Sequence, residues 1–252
     1  MGFGEIIIGD EILRGKRQDR HFSKLVELLG ARGLKLDWAE YVGDNPDLIT
    51  ATLRRTFAGP DVVFSFGGIG ATPDDHTRQC AAAALGVEVA LHPDAEAAIR
   101  ARFGGETTPF RLKMGEFPVG SSIIPNGYNQ IPGFSVGDHH FVPGFPVMAW
   151  PMVEWVLDRR YAHLHHRVPE AEAAIVVYGS AESVLTPLMV EVEAQYRKLK
   201  VFSLPHMGEA GTRRHIELGV RGDPDEVAQA IEALKAGVTA TGATFEAPAG
   251  GG

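Results

Sequence analysis

The sequence predicts an α/β protein: a three-layer domain with a mainly parallel sheet flanked by helices, followed by a small α+β unit in the ferredoxin-like order βαββαβ. Three observations carry this. Two continuous apolar runs, one ending in Ile6-Ile7-Ile8 and one within residues 61–66, each stop at a glycine-bearing loop, as strands buried on both faces do. Each is followed by a stretch of helical spacing, so strand and helix alternate as parallel crossovers require. Beyond residue 170 a second set of elements can be written in the order of a small two-layer unit.

Residues 3–8 read as the first strand, ending at Gly9-Asp10-Glu11. A helix follows, with Phe22, Leu25, Val26 and Leu29 at helical spacing and Gly33 as its stop, and then Leu34, Leu36 and Trp38 alternate as in a strand. Asn45-Pro46 reads as a helix start with Ile49, Leu53 and Phe57 on one face. The strand within 61–66 ends at Gly67-Gly68-Ile69-Gly70, and a helix is expected to begin near Thr72-Pro73. Between 104 and 146 glycines and prolines blur the periodicity, so short strands and long loops are expected, and 147–157 reads as the closing helix. This places a first domain at 1–158 and a basic, His-rich linker at 159–170.

The small unit is expected over 171–247. Its strands fall at 173–178, 200–204, 215–221 and 243–246, with Ile216, Leu218 and Val220 alternating along the third. One helix is capped by Thr186-Pro187 and carries Leu188, Val192 and Tyr196. The other follows Asp223-Pro224, with Glu226 completing a capping box and Val227, Ile231, Leu234 and Val238 on one face. The tail 248–252 reads as flexible.

Composition narrows the function classes. The chain of 252 residues carries 24 basic against 32 acidic residues, a net charge of −8, which repels phosphate backbones and anionic lipid. Neither nucleic acid nor membrane is an expected partner; a small ligand is. Cys80 is the single cysteine, so intrachain disulfides and thiolate metal cages are excluded, and its alanine-rich helix suggests a buried small hydrophobe. No apolar run approaches the roughly 20 residues of a membrane span, and Met1 leads directly into a strand-like segment, so the cytoplasm is the expected address.

The segment from Gly67 to Thr77 carries the most chemistry. Glycines after a buried strand allow a tight turn with outward N–H groups, and a helix N-terminus would add its positive dipole end, so phosphate is the expected guest. The spacing matches neither the dinucleotide fingerprint nor the P-loop. Thr72, Pro73, Asp74 and Asp75 would serve equally as an ordinary helix cap. Two carboxylates beside such a turn, however, would repel a phosphate, and a divalent cation resolves the conflict. Mg²⁺ or another divalent cation, held by one or two carboxylates and the substrate phosphate, is therefore the expected cofactor. His163-Leu164-His165-His166 reads as hydrated linker rather than a metal site, and of His139-His140 at most one could face a pocket.

Gly9-Asp10-Glu11-Ile12-Leu13 with Gly15, then Asp19, Val42-Gly43-Asp44, and Gly67-Gly68-Ile69-Gly70 with Thr72, Asp74-Asp75 and Thr77 together resemble the CinA-type (competence/damage-inducible) branch of the molybdopterin-binding family. Molybdenum-cofactor biosynthesis proteins share this fold. The resemblance continues through Arg111-Leu112-Lys113, Pro118, Asn126, Pro132-Gly133 and Pro143-Gly144-Phe145-Pro146. It implies a pocket lined by Gly9, Asp10, Glu11, Asp19, Asp44, Gly67, Gly68, Gly70, Thr72 and Thr77, completed by Lys113, Asn126 and the Pro143-Gly144 turn. Asp75, with Asp74 and Lys113, would be catalytic, and Asp74, Asp75 and Asp10 would hold the metal. The chain departs from the family pattern at Asp19-Arg20-His21, where Asp-Thr-Asn is usual, at Ala71 in place of proline, at Ile131, and at Met148. CinA-type relatives often add a deamidase domain; the remaining length fits only the ferredoxin-like unit, so deamidation of nicotinamide mononucleotide is not expected.

Two functions follow from the resemblance, and the departures at Asp19-Arg20-His21 and Ala71 add a third. The first is binding of molybdopterin, or another phosphorylated pterin or nucleotide, with a divalent metal, in molybdenum-cofactor metabolism. The second is a metal-dependent pyrophosphatase acting on ADP-ribose or FAD. The third is a non-catalytic nucleotide-binding sensor or scaffold. The resemblance also implies a homo-oligomer, dimer or trimer.

Overall fold

Strand β1 (Phe3–Ile8) is buried along its whole length, because helices cover both faces of the sheet in which it is central. The computed structural model describes residues 1–166, 170–208 and 213–248, and the chain divides into two units, Met1–His165 and His166–Gly252. In the first unit, β1 leads through the one-turn helix α1 (Asp10–Leu13) and helix α2 (His21–Gly30) to strand β2 (Trp38–Val42). Helix α3 (Pro46–Phe57) then returns the chain to strand β3 (Val62–Phe66). Helix α4 (Thr77–Leu85), strand β4 (Val89–Leu91), helices α5 (Pro93–Phe103) and α6 (Pro109–Leu112) and strand β5 (Glu116–Pro118) make an excursion in which β4 pairs with β5. Strands β6 (Ser122–Ile124), β7 (Gly133–Val136) and β8 (His139–Val142) complete the main sheet, and helix α7 (Pro146–Arg160) closes it.

The sheet order is β2-β1-β3-β8-β7-β6. The first four strands are parallel, whereas β7 and β6 add an antiparallel edge. That edge arises because β7 and β8 are joined by the tight turn Gly137-Asp138, with Gly137 at φ 56°, which reverses the chain as a crossover cannot. Side chains alternate between two cores. Phe3, Ile7, Phe64 and Phe66 pack against Leu25 and Leu29 of α2 and Met152 and Val156 of α7. Ile6, Ile8 and Val63 pack against Ile49 and Leu53 of α3 and Cys80 and Ala81 of α4. Cys80 is buried, as its surroundings in the sequence suggested.

Several polar groups are enclosed in these cores. His139 and His140 both lie inside, and neither reaches a cavity: His139 Nε2 is 3.0 Å from Thr56 Oγ1, and His140 spans Ser135 Oγ (2.8 Å) and Tyr161 Oη (2.7 Å). Tyr161 donates to Asp138 Oδ1 at 2.7 Å, so it accepts from His140 Nε2, which leaves His140 Nδ1 to accept from Ser135. Burial pushes the His139 imidazole down to about 4 and lowers His140 well below its ordinary range. Glu5, at the centre of β1, has no exposed surface and no hydrogen-bond partner for either carboxyl oxygen.

The structure moves several expected boundaries. Leu34 and Leu36 precede β2 rather than belonging to it. Phe22 and Val26 of α2 are exposed, and its buried face is His21, Leu25, Leu28 and Leu29. Helix α7 runs to Arg160 and Tyr161 joins the first core, so residues 159–165 belong to the first unit. Helix α4 begins at Thr77, five positions after Thr72; the cause lies in the loop before it, described below.

The second unit contains strand β9 (Ala171–Tyr178), helix α8 (Glu182–Gln195), strands β10 (Leu199–His206) and β11 (His215–Gly222), helix α9 (Pro224–Ala240) and strand β12 (Thr244–Glu246). Its sheet order β10-β11-β9-β12, with every neighbouring pair antiparallel, is the ferredoxin-like arrangement. Helix α8 starts at Glu182, so Thr186-Pro187 lies inside it rather than at its cap. Asp223 caps α9 by accepting from the amides of Asp225 and Glu226. Glu226, however, accepts from Lys198 N at 2.8 Å instead of closing the capping box on Asp223, whose own amide is taken by Lys198 O. Residues 249–252 of the expected tail lie outside the described residues.

Candidate functional site

Because β1, β3 and β8 run parallel and adjacent, their carboxyl ends deliver three loops to one edge of the sheet: Gly9 to Glu11, Gly67 to Asp75, and Pro143 to Phe145. Between these loops lies a cavity of about 430 Å³. The glycine turn is shaped by close backbone packing. Gly67 sits at φ 98°, and a Cβ there would collide with the Ile8 carbonyl; Gly68 sits at φ 68°, and a Cβ would collide with the Thr77 hydroxyl. Thr77 clamps the turn from behind, its hydroxyl donating to Gly67 O at 3.1 Å and its amide to Gly68 O at 3.0 Å.

Residues 71–76 form a loop, not the first turn of α4. Thr72 donates to the Asp75 carboxylate through both its amide (2.8 Å) and its hydroxyl, and Asp75 N donates back to Thr72 O at 3.0 Å. These local side-chain bonds satisfy the backbone in a non-helical form, which is why cap-like chemistry at Thr72-Pro73 does not start a helix. Asp74 and Asp75 therefore do not sit in the first turn of α4, and a glycine turn with its following loop, not a helix start, lines the cavity. Asp74 is exposed, and the neighbouring Thr72 side chain and its own amide hold its carboxyl below the usual carboxylate range.

Most of the residues expected at the site line this cavity. Gly9 and Glu11 come from the first loop; Gly67, Gly68, Gly70, Thr72, Asp74 and Asp75 from the second. Asp44, Asn126, Pro143 and Gly144 complete that set. Asp10, Asp19, Thr77 and Lys113 do not line it. Asp10 is instead locked to Asp44: Asp10 N donates to Asp44 Oδ2 at 2.8 Å, Asp44 N donates to Asp10 Oδ1 at 3.2 Å, and Arg14 donates to Asp10 Oδ2 at 2.6 Å. Asp19 caps the start of α2, accepting from His21 N at 2.8 Å and Tyr41 Oη at 2.8 Å. The Lys113 ammonium packs over the Phe110 ring, 5.3 Å from its centre.

Sequence reasoning passed over three contributors. Arg17, in the basic run after α1, lines the cavity and stacks on Phe145, its guanidinium 5.5 Å from the ring centre. Its signal was the cluster Arg14, Lys16 and Arg17 beside a glycine. Arg78, buried in α4, donates to the carbonyls of Gly70 and Lys113 and so ties the glycine turn to the segment before β5. The third is Met114, in the cavity wall, for which the sequence offered no signal.

Among the lining residues Glu11, Asp44, Asp74 and Asp75 supply four carboxyl groups against the single guanidinium of Arg17. Burial raises the Asp44 carboxyl, and the charges of Asp10, Glu11 and Asp74 raise it further against the amide bond from Asp10. Asn126 is buried; its Oδ1 accepts from Tyr128 N at 3.0 Å, while its Nδ2 has no partner. Among the described residues no three His, Cys, Asp or Glu side chains converge as a metal cage. The donor set fits a divalent cation that arrives with a phosphate and is held through one or two carboxylates, not one caged by protein alone.

The fold and the site together define an α/β domain with a cavity at the carboxyl ends of a parallel sheet, walled by glycine turns and acids. Residues 4–163 match the family described as "probable molybdopterin binding domain". The chain belongs to that family, in its CinA-type branch. It is 36% identical over 177 residues to a CinA-like protein of Anaeromyxobacter sp. (strain K), a match covering 67% of this chain and 42% of that protein. The chain thus matches less than half of the length of that relative. A protein of Pyrobaculum arsenaticum is 30% identical over 239 residues, covering 91% of this chain and 90% of its own. The crystal structure of CinA from Thermoplasma acidophilum, described as of unknown function, aligns with a TM-score of 0.57 at 28% identity, covering 63% of this chain and 98% of that one. Among the described residues no helix is long and apolar enough to cross a membrane.

Proposed function

We propose that the first unit binds a phosphorylated pterin or nucleotide together with a divalent cation, in molybdenum-cofactor metabolism. The observation that carries this is a cavity at the carboxyl ends of a parallel sheet, framed by the Gly67 to Gly70 turn, the Pro143-Gly144 turn and four acids. Such a wall offers N–H donors to phosphate oxygens, while the acids demand a cation if an anion is to enter. Arg17 over Phe145 offers a flat cationic and aromatic surface for a planar ring such as a pterin or adenine. Asp44, Asp74 and Asp75 would hold the cation. Asp10, engaged by Asp44 and Arg14, would support Asp44 rather than touch the metal.

The excess of carboxylates favours one extension, a metal-dependent pyrophosphatase cleaving ADP-ribose or FAD, with Asp74 or Asp75 positioning the cation beside an attacked phosphorus. Titration calorimetry with molybdopterin, AMP, ADP-ribose and FAD, each with and without Mg²⁺, tests the binding reading. Saturable binding strengthened by Mg²⁺ and weakened in Asn126→Ala is expected. Absence of binding by every one of these compounds, at any Mg²⁺ concentration, overturns it. Release of AMP from ADP-ribose that depends on Mg²⁺ and is lost in Asp75→Asn would decide for hydrolysis.

A further inference from the structure

We infer that His21 is a positioning residue that sets the spacing of two adjacent glycine turns in the wall of the candidate site. It contacts both. The ring stacks on Phe66 with centres 4.4 Å apart, and Phe66 is the last residue of β3, directly before Gly67. On its other side, His21 Nε2 lies 3.2 Å from the carbonyl oxygen of Gly144, in the turn after β8. The two turns run side by side, since a Cβ added to Gly144 would lie 3.5 Å from the Gly67 Cα. A single imidazole therefore bridges them from behind.

The geometry also fixes the proton. A carbonyl only accepts, so Nε2 carries the hydrogen. Burial lowers the imidazole below its ordinary range, so the neutral ring leaves Nδ1 as a lone pair, and that atom is buried without a partner. Asp19 holds the ring in place by accepting from the amides of His21 and Phe22 at the start of α2. This gives Asp19 a task one step removed from the cavity, in place of the ligand contact expected of it. A second cavity of about 350 Å³, which shares Glu11, Arg17 and Gly144 with the first, lies against the His21 ring. Loss of the Nε2 bond would free the Gly144 carbonyl, which borders this space, from its histidine partner.

The affinity arm of the test rests on the functional reading above; the other two arms do not. Long-range ¹⁵N spectra of the wild-type protein at pH 7 should show His21 as the neutral Nε2–H form, and an Nδ1–H form or an imidazolium overturns the inference. Hydrogen exchange of the Gly67 amide, which donates to Val142 O at 3.0 Å, should accelerate in His21→Phe, which keeps the stack and loses the donor. An unchanged rate overturns the inference. In titrations with ADP-ribose and Mg²⁺, His21→Phe should weaken binding about tenfold, and His21→Gln, which restores an N–H, should recover most of that loss. Equal affinity in wild type and His21→Phe overturns it. Should wild type bind no ADP-ribose, the nucleotide reading is weakened, and the exchange and tautomer measurements still decide the role of His21.

Discussion

Replacing Glu5 by glutamine should remove a fall in stability between pH 5 and pH 8. Glu5 pairs along the sheet with Ala39 and Phe64, has no exposed surface, and has no partner for its carboxyl oxygens. Burial, reinforced by the charge of Asp19, pushes its pKa from 4.5 up to about 8. The folded protein therefore binds a proton at Glu5 that the unfolded chain releases above pH 4.5. Stability from this group is fully present below 4.5 and falls as pH rises, until the carboxyl also ionises in the fold near pH 8. At about 1.4 kcal/mol per pKa unit, the loss between pH 5 and pH 8 is about 3 kcal/mol. Glutamine has the same shape and no titration. Urea unfolding of wild type and Glu5→Gln at the two pH values should show the variant gaining about 3 kcal/mol on wild type between them. A difference between the two proteins that stays constant across that range would refute the reasoning, since it would mean that Glu5 is solvated or paired in the fold. Comparing the variant with wild type at each pH cancels the titrating groups that do not interact with Glu5.

His139 gives the opposite slope. With its imidazole depressed to about 4, its contribution is present above the ordinary 6.5 and is lost as pH falls through 4, so His139→Gln should flatten the acid limb of the urea midpoint between pH 6.5 and pH 4.5. Arg78→Met should cost about 3 kcal/mol in the same assay, because the carbonyls of Gly70 and Lys113 lose a charged donor within the protein. Asp44→Asn removes one of the lining carboxylates; in calorimetry it should weaken the Mg²⁺ dependence of ADP-ribose binding and improve binding measured with chelator, and an unchanged Mg²⁺ dependence would exclude Asp44 from the cation's surroundings.

Elements with a clean period were legible from residues alone. Ile6-Ile7-Ile8 and 61–66 became β1 and β3, Asn45-Pro46 caps α3 by accepting from Asp47 N at 2.9 Å, and the βαββαβ order of the second unit emerged whole. Three of the errors share a cause. At Thr72, Thr186 and Glu226 the chain carries cap residues, and in each case a competing partner took them: Asp75 for Thr72, the Glu182 carbonyl for Thr186 Oγ1 at 3.0 Å, and Lys198 for Glu226. Cap chemistry shows that a polar side chain can satisfy backbone, not which backbone. The site was legible where glycines and acids mark loop ends. It was not legible where a residue acts through tertiary contact, as Arg78 and Arg17 do, nor for Asp10 and Asp19, whose local bonds turn them away from the cavity and into support for Asp44 and His21.

The charge balance of the cavity constrains any ligand more sharply than its shape does. With Glu11, Asp44, Asp74 and Asp75 opposed by Arg17 alone, a phosphate entering without a cation would add like charge to a site that already raises the Asp44 carboxyl. A cation entering alone would meet no convergent trio of ligands among the described residues. Each partner therefore supplies what the other lacks, and on the proposed reading their binding must be mutually reinforcing: if Mg²⁺ raises the affinity for the phosphorylated compound by some factor, that compound raises the affinity for Mg²⁺ by the same factor. A preformed cage would hold the cation without the phosphate, and a cluster of lysines would hold the phosphate without the cation. On the proposed reading this arrangement does neither, and the acids and the glycine turns act as one site that needs both guests.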